Sequence, residues 1–317
     1  MSNKALVKCD INSASHEELE TVARELFKEN PEDIAEDIKR LQSWINATPH
    51  LRNIRQDEQL LKMFLRGCNY KVEAAKDKLD MYFTAHTLLP AWFDNWDPTQ
   101  RNLESIFSAG IYLPLLGYDK HGRYVSLLRT KKVIPGTMPV DDIYKCFIML
   151  FSLLLEGNIQ AQTKGMVLIL DEEGFTASHA FMMTPPTLKK LMVVFQEAYP
   201  MDNEDLIKMS LLYFVNMPGI MKNLFKLIMS FMNEKYKTMV KTTSTGGYED
   251  LIEELGEDIL PSDYGGKNAS TEELTQFWKE EVVRQADWLL SQTMFKTEES
   301  LRKGKSKIQS QLSCNIM

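Results

Sequence analysis

The chain is predicted to be α/β: a mostly parallel sheet with flanking helices and a mobile lid helix, preceded by a small all-helical domain. Three observations predict this. Met166-Val167-Leu168-Ile169-Leu170 is an apolar run between Gly165 and the acidic turn Asp171-Glu172-Glu173, too short for a helix and apolar enough for a strand buried on both faces. The segments after it, 177–199 and 211–215, alternate helical and strand character as a parallel sheet requires. Residues 16–88 instead carry four successive helix patterns with their own start and stop signals.

In chain order, Ser15 followed by Glu18 is a capping box that opens a helix over residues 16–29. Asn30-Pro31-Glu32-Asp33 restarts the chain with a cap, a proline at the first helical position and acid in the first turn, for a helix to about residue 47. Asp57 caps a third helix, 58–66, closed by Gly67, and a fourth over 71–88 ends before Pro90. Leu60, Leu61, Phe64 and Leu65 share one face of the third, while Lys62 and Arg66 share another that reads as solvated. Trp92, Phe93 and Trp96 are expected to seat this domain on the next, with Asp97-Pro98 at the boundary. The expected domains are therefore 1–97, helical; 98–266, α/β; and 267–317, a C-terminal helix and tail.

Residues 111–116 and 124–128 read as a hairpin around Gly117-Tyr118-Asp119-Lys120-His121-Gly122. Asp141 opens a long apolar helix to residue 155, and Thr187 heads another over 188–199 that Pro200 stops. In 216–236, Lys222, Lys226, Ser230, Asn233 and Lys237 form a narrow polar stripe, and apolar side chains fill the remainder. A surface helix needs only a ~100° apolar stripe. The excess must be covered, by core, by a greasy ligand or by a membrane, which marks this segment as a lid. Residues 238–243 read as a strand, Gly246-Gly247 as a turn, 251–255 as a short helix and 272–295 as an amphipathic one. The basic tail from Arg302 is expected to be mobile.

Composition excludes several classes. Of 317 residues, 44% are hydrophobic and 26% charged, with a net charge of −7. That is globular composition, without the basic surface a nucleic-acid partner demands. Cys9, Cys68, Cys146 and Cys314 form no CxxC pair, which suggests reduced cytosolic thiols rather than a zinc site or disulfide framework. No signal-peptide core opens the chain, and the longest apolar run, 146–155 apart from Ser152, is roughly half of the ~20 residues a spanning helix needs. A cytoplasmic monomer, peripherally membrane-associated in part, is expected. Many of the 18 methionines fall between Met166 and Met239, where flexible, polarizable side chains suit an adaptable apolar surface.

The motifs "LLKMFLRGCNY", "DKHGRYVSLLR", "GMVLILDEEGF", "TPPTLKKLMVVFQEAYP", "LLYFVNMPGI" and "ILPSDYGG", in this order over residues 57–266, resemble the CRAL-TRIO lipid-binding family, in the branch of the α-tocopherol transfer protein and the cellular retinaldehyde-binding protein. The resemblance implies a hydrophobic cavity under a mobile lid. Its walls would be Ser152, Met166, Leu168, Leu170, Phe175, Met183, Leu191, Val194, Phe195, Tyr199 and Leu211, with Phe225, Ile228 and Met232 from the lid and Ser152 and Tyr199 as polar contacts. It also implies a basic cluster for phosphoinositide head groups. Lys208 and Lys235 stand at two of its positions as phosphate or membrane contacts, but Ser210 and Met239 replace arginines and the acidic stretch 201–205 precedes it, which argues against strong head-group specificity.

No hydrolase elbow, HExxH, phosphate-binding loop or dinucleotide fingerprint is present. The adjacent Ser178 and His179 do not make a nucleophile and its base, so Asp171 and His179 are read as structural. The expected function is non-enzymatic and free of cofactor or metal: a carrier of one small hydrophobic lipid between membranes. The competing expectation is a phosphoinositide-responsive docking module without cargo.

Overall fold

The computed structural model describes residues 16–27, 29–201, 204, 207, 210–243 and 248–313. Cys9, Ser15 and its capping box, most of the acidic stretch 201–205, Lys208, the turn Gly246-Gly247 and Cys314 lie outside the described residues. The helical region comprises α1 (His16–Phe27), α2 (Pro31–Ala47), α3 (Glu58–Gly67), α4 (Val72–Leu88) and the short α5 (Pro90–Phe93). Asn30 and Asp57 cap α2 and α3, their side chains accepting the Glu32 and Leu60 amides.

The expected apolar face of α3 is buried, but its basic face is not solvated. Arg66, 2% exposed, donates to Glu20 at 2.7 Å and Glu29 at 2.8 Å, and Lys62 donates to Glu20 at 2.7 Å. Glu20 and Glu29, from α1 and the turn after it, come over α3 as α1 packs on α8 (Ile159–Lys164). Charges so enclosed must be paired. Trp92 seats the helical region on the next as expected, its indole donating to Asp141 at 2.7 Å. Gly67 permits the closest approach: a Cβ there would stand 1.8 Å from the carbonyl oxygen of Pro200.

The sheet has five strands in sequence order: β1 (Tyr112–Tyr118), β2 (Tyr124–Arg129), β3 (Met166–Asp171), β4 (Leu211–Val215) and β5 (Val240–Thr242). β1 and β2 form the expected antiparallel hairpin, and the other pairings are parallel. Tyr124, Ser126 and Leu128 pair with Met166, Leu168 and Leu170, and Leu212 and Phe214 pair with the last two. Side chains alternate across a sheet, so these residues share one face. On the other, Val125, Leu127, Val167 and Ile169 are 0% exposed, whereas β3 alternates with only partly buried positions. The central strand is thus packed solid on one face only.

The remaining helices are α6 (Arg101–Ala109), α7 (Val140–Gly157), α9 (Ala177–Met182), α10 (Pro185–Val193), α11 (Lys222–Phe231), α12 (Glu234–Lys237), α13 (Glu249–Leu255), α14 (Thr271–Arg284), α15 (Ala286–Gln292) and α16 (Lys307–Ser313). Thr184, not Thr187, caps α10, because Pro185 and Pro186 fit a first turn whose N–H groups have no helical partners. A wider π turn, Val194–Ala198, follows. The predicted helix at 272–295 divides at Gln285. The described part of the tail, to residue 313, is docked rather than mobile: Arg302 donates twice to Asp80, at 2.8 and 2.6 Å, and Ile308 is fully buried where α16 packs on α4 and α10.

Candidate functional site

Between the partly buried sheet face and helices α7, α10 and α11 lies an almost wholly apolar cavity of about 310 Å³. β3 contributes Met166, Leu168 and Leu170, β2 contributes Tyr124, Ser126 and Leu128, and β4 contributes Leu212 and Phe214. Helix α7 presents Ile143, Phe147, Leu150, Phe151 and Leu154 at helical spacing. Eight methionines border the space, including Met182, Met183, Met192 and Met221.

Of the residues proposed from sequence, Met166, Leu168, Leu170, Phe175, Met183, Leu191, Phe195, Leu211, Ile228 and Met232 stand in the wall. Leu211 pairs with Val167 and so belongs by alternation to the opposite face, leaving Leu212 and Phe214 as the inward positions of β4. Ser152, Val194, Tyr199 and Phe225 are elsewhere. Ser152 and Tyr199 hydrogen-bond to each other at 2.8 Å, and the Tyr199 ring meets Tyr82 of α4 edge-on at 5.4 Å, which commits both to the junction with the helical region. Val194 is fully buried in the core where the π turn meets α4. Phe225 packs edge-on against Phe214 at 5.1 Å, behind the wall.

The segment expected to form a lid is not one helix over 216–236. A 3-10 turn, Gly219–Met221, leads into α11, and the chain breaks at Met232 and Asn233 before α12. Gln196 from the π turn occupies the break, accepting the Asn233 amide at 2.6 Å and donating to the Phe231 carbonyl at 3.1 Å. A single side chain therefore replaces helical hydrogen bonds and joins the break between α11 and α12 to the wall. Only Leu224 of α11 is buried; Phe225, Leu227, Ile228 and Met229 are half-buried. Nearby, Phe181 and Ile220 are 82% and 54% exposed, and their neighbours Ala180 and Met221 belong to the same apolar cluster.

The one acidic side chain in the described wall is Glu172. It follows β3, is buried, and accepts the Thr130 hydroxyl at 2.6 Å. Burial pushes its carboxyl up to about 7 despite that hydrogen bond, and the Asp171 charge adds to the shift. Asp171 fixes the strand end as expected, accepting from the Glu173 amide at 3.1 Å, from Asn216 at 2.8 Å and from the Tyr264 hydroxyl. His179 bonds Thr176 through Nδ1, at 2.8 Å to its hydroxyl, and the Val133 carbonyl through Nε2 at 3.2 Å. At the proposed basic cluster, Ser210 accepts the Met166 amide at 3.1 Å and Met239 is buried in the cavity wall. Lys235 is exposed, its ammonium 4.9 Å from the Tyr236 ring centroid.

Sequence reasoning missed Tyr124, Ser126 and Leu128 because strand pairing is not written in the order of residues. The apolar stripe of α7 was available as a signal, since Phe147, Phe151 and Leu154 recur at helical spacing.

Residues 109–266 match the CRAL/TRIO domain and residues 30–103 the Pinta-like UBA domain. The chain is 27% identical over 251 residues to the alpha-tocopherol transfer protein-like protein of Homo sapiens, covering 79% of this chain and 70% of that one. It is 25% identical over 252 residues to clavesin-2 of Rattus norvegicus, covering 80% and 74%. Among solved structures it is similar to Sfh5, with a TM-score of 0.47, 15% identity and coverage of 86% of this chain and 99% of that one. Its central domain, with the hairpin-led parallel sheet and the cavity beside it, places this chain among the CRAL/TRIO-domain proteins.

Proposed function

We propose that this protein is a cytoplasmic carrier that withdraws one small apolar molecule from a membrane, shields it in the cavity and releases it at another. The observation that carries this reading is the cavity itself: about 310 Å³ of space walled by apolar side chains and bordered on one side by α11. A packed protein interior leaves few voids larger than a water molecule, and this one is at the lower end of the roughly 300–1,000 Å³ typical of small-molecule sites. Burial is the mechanism: apolar surface removed from water contributes roughly 25 cal/mol per Å². The process contains no chemical step.

In this reading Met166, Leu168, Leu170, Phe175, Met183, Leu191, Phe195, Ile228 and Met232 contact the cargo, and α11 swings on the 3-10 turn before it and the break after it. The relatives' name supports a tocopherol-like class of cargo, and the methionine-rich wall suits an adaptable fit. No helix among the described residues is long and apolar enough to cross a membrane, and contact with the bilayer is assigned to the lid and its exposed neighbours. The phosphoinositide-docking alternative is less well supported, because Ser210 and Met239 face inward.

Native mass spectrometry of the purified protein tests the reading. A retained small lipid, and acceleration of that lipid's movement between vesicles, are expected. A protein that holds no guest and moves none would overturn it.

A further inference from the structure

The polar groups of the cavity wall can be accounted for one by one. His179 bonds Thr176 and the Val133 carbonyl, Tyr144 donates to the Met183 sulfur at 3.1 Å, Gln196 holds the lid break, and Tyr236 donates to two backbone carbonyls. Ser126 donates to the Val167 carbonyl at 3.4 Å and hydrogen-bonds Tyr112, and the Cys146 thiol donates to the Leu103 carbonyl at 3.9 Å. Two groups keep unmet capacity. The Tyr124 hydroxyl is a buried orphan with no hydrogen-bond partner, and Glu172, buried in the same wall, is bonded to Thr130 through Oε2, so that Oε1 keeps acceptor capacity. Buried polar groups are nearly always satisfied, so an orphan in a ligand cavity points at the ligand.

The two stand at opposite ends of the same sheet face. Tyr124 is level with Met166 at the start of β3, and Glu172 is the first residue beyond its end. At about 3.3 Å per residue the two levels are roughly 20 Å apart, and the wall between them is almost entirely apolar.

We propose that the cargo is an elongated apolar molecule with an oxygen function at each end, one hydroxyl received by Oε1 of Glu172 and the other paired with the Tyr124 hydroxyl. This rests on the carrier reading above and narrows its substrate class. The apolar middle supplies burial; the ends supply selection. A site built to hydrogen-bond a ligand discriminates against analogues that leave its groups unpaired.

The test uses the full chain with an apolar-site dye bound and displaces it with hexadecane, hexadecanol and the hexadecanediol bearing a hydroxyl at each end. The diol is expected to bind tightest and the alkane weakest, each hydroxyl being worth about 2- to 10-fold in affinity. Tyr124→Phe, which keeps the ring, should erase the preference for diol over mono-alcohol and leave the ligand-free protein at least as heat-stable, because the hydroxyl it removes has no partner. Glu172→Leu should weaken the preference for mono-alcohol over alkane. Equal binding of the three, tightest binding by the alkane or mono-alcohol, or an intact diol preference in Tyr124→Phe overturns this inference and leaves the carrier reading standing. Failure of all three to displace the dye removes both.

Discussion

Adjacent residues of β3 offer a way to tell cavity from core. Leu168 and Ile169 are both central, both aliphatic and one position apart, yet Leu168 faces the cavity and Ile169, 0% exposed, faces the solid side of the sheet. Tryptophan at 168 projects its extra volume into about 310 Å³ of open space, equivalent to on the order of ten water molecules at ~30 Å³ each. No neighbour has to move, and the added ring buries further apolar surface. The expected stability change for Leu168→Trp is within about 1 kcal/mol of zero, while the affinity for any apolar guest falls by at least an order of magnitude. The same ring at 169 has no space, and overpacking costs about 1–3 kcal/mol or more. Ile169→Trp should therefore lower the unfolding temperature by several degrees while a surviving folded fraction still takes up ligand. Circular-dichroism melting and dye displacement on both variants read the two quantities separately. Equal destabilisation by the two substitutions, or undiminished binding in a folded Leu168→Trp, would refute the assignment of the cavity to this face.

The other predictions follow from the lid and its surroundings. Gln196→Leu removes both hydrogen bonds that hold the lid break, and faster amide exchange across residues 222–236 together with faster ligand exit is expected; unchanged exchange would show that the side chain is not a latch. Phe181→Asp with Ile220→Asp alters two exposed side chains, so stability should move by less than about 0.5 kcal/mol per site while vesicle-to-vesicle transfer slows several-fold, and equal transfer rates would remove these residues from the membrane contact. Glu172 gives a pH signature. Its folded carboxyl lies near 7 against an ordinary 4.5, so the native state holds the proton longer than the unfolded chain, and stability falls as pH rises between those values. Glu172→Gln should flatten that slope in thermal melts from pH 4.5 to 7; a slope of the same size in the variant would assign it to another group.

Local pattern made much of this architecture legible. The five-residue apolar run at 166–170, the turn-joined strands at 112–118 and 124–129, and the caps at Asn30 and Asp57 all depend on neighbours in the chain, and each appears in the structure within a residue or two of its expected bounds. The ordered motifs likewise carried the family. Period and capping are short-range physics, so a sequence states them directly.

What the sequence by itself determined, then, was the order and type of most elements and which side chains are apolar. Tertiary structure alone decided which apolar side chains meet each other and which meet empty space. Val194 and Leu191 look equivalent on one helical face, but the π turn directs Val194 into the junction with α4 and leaves Leu191 in the cavity wall. Ser152 and Tyr199, plausible ligand contacts by residue type, satisfy each other. Arg66 and Arg302 look like surface charge until α1 and α4 bring acids to them from far along the chain. A hydrophobic side chain loses water in the same way whether it enters a core or lines a void, and a polar one is satisfied by whichever partner arrives. Only the packing of distant segments distinguishes these outcomes.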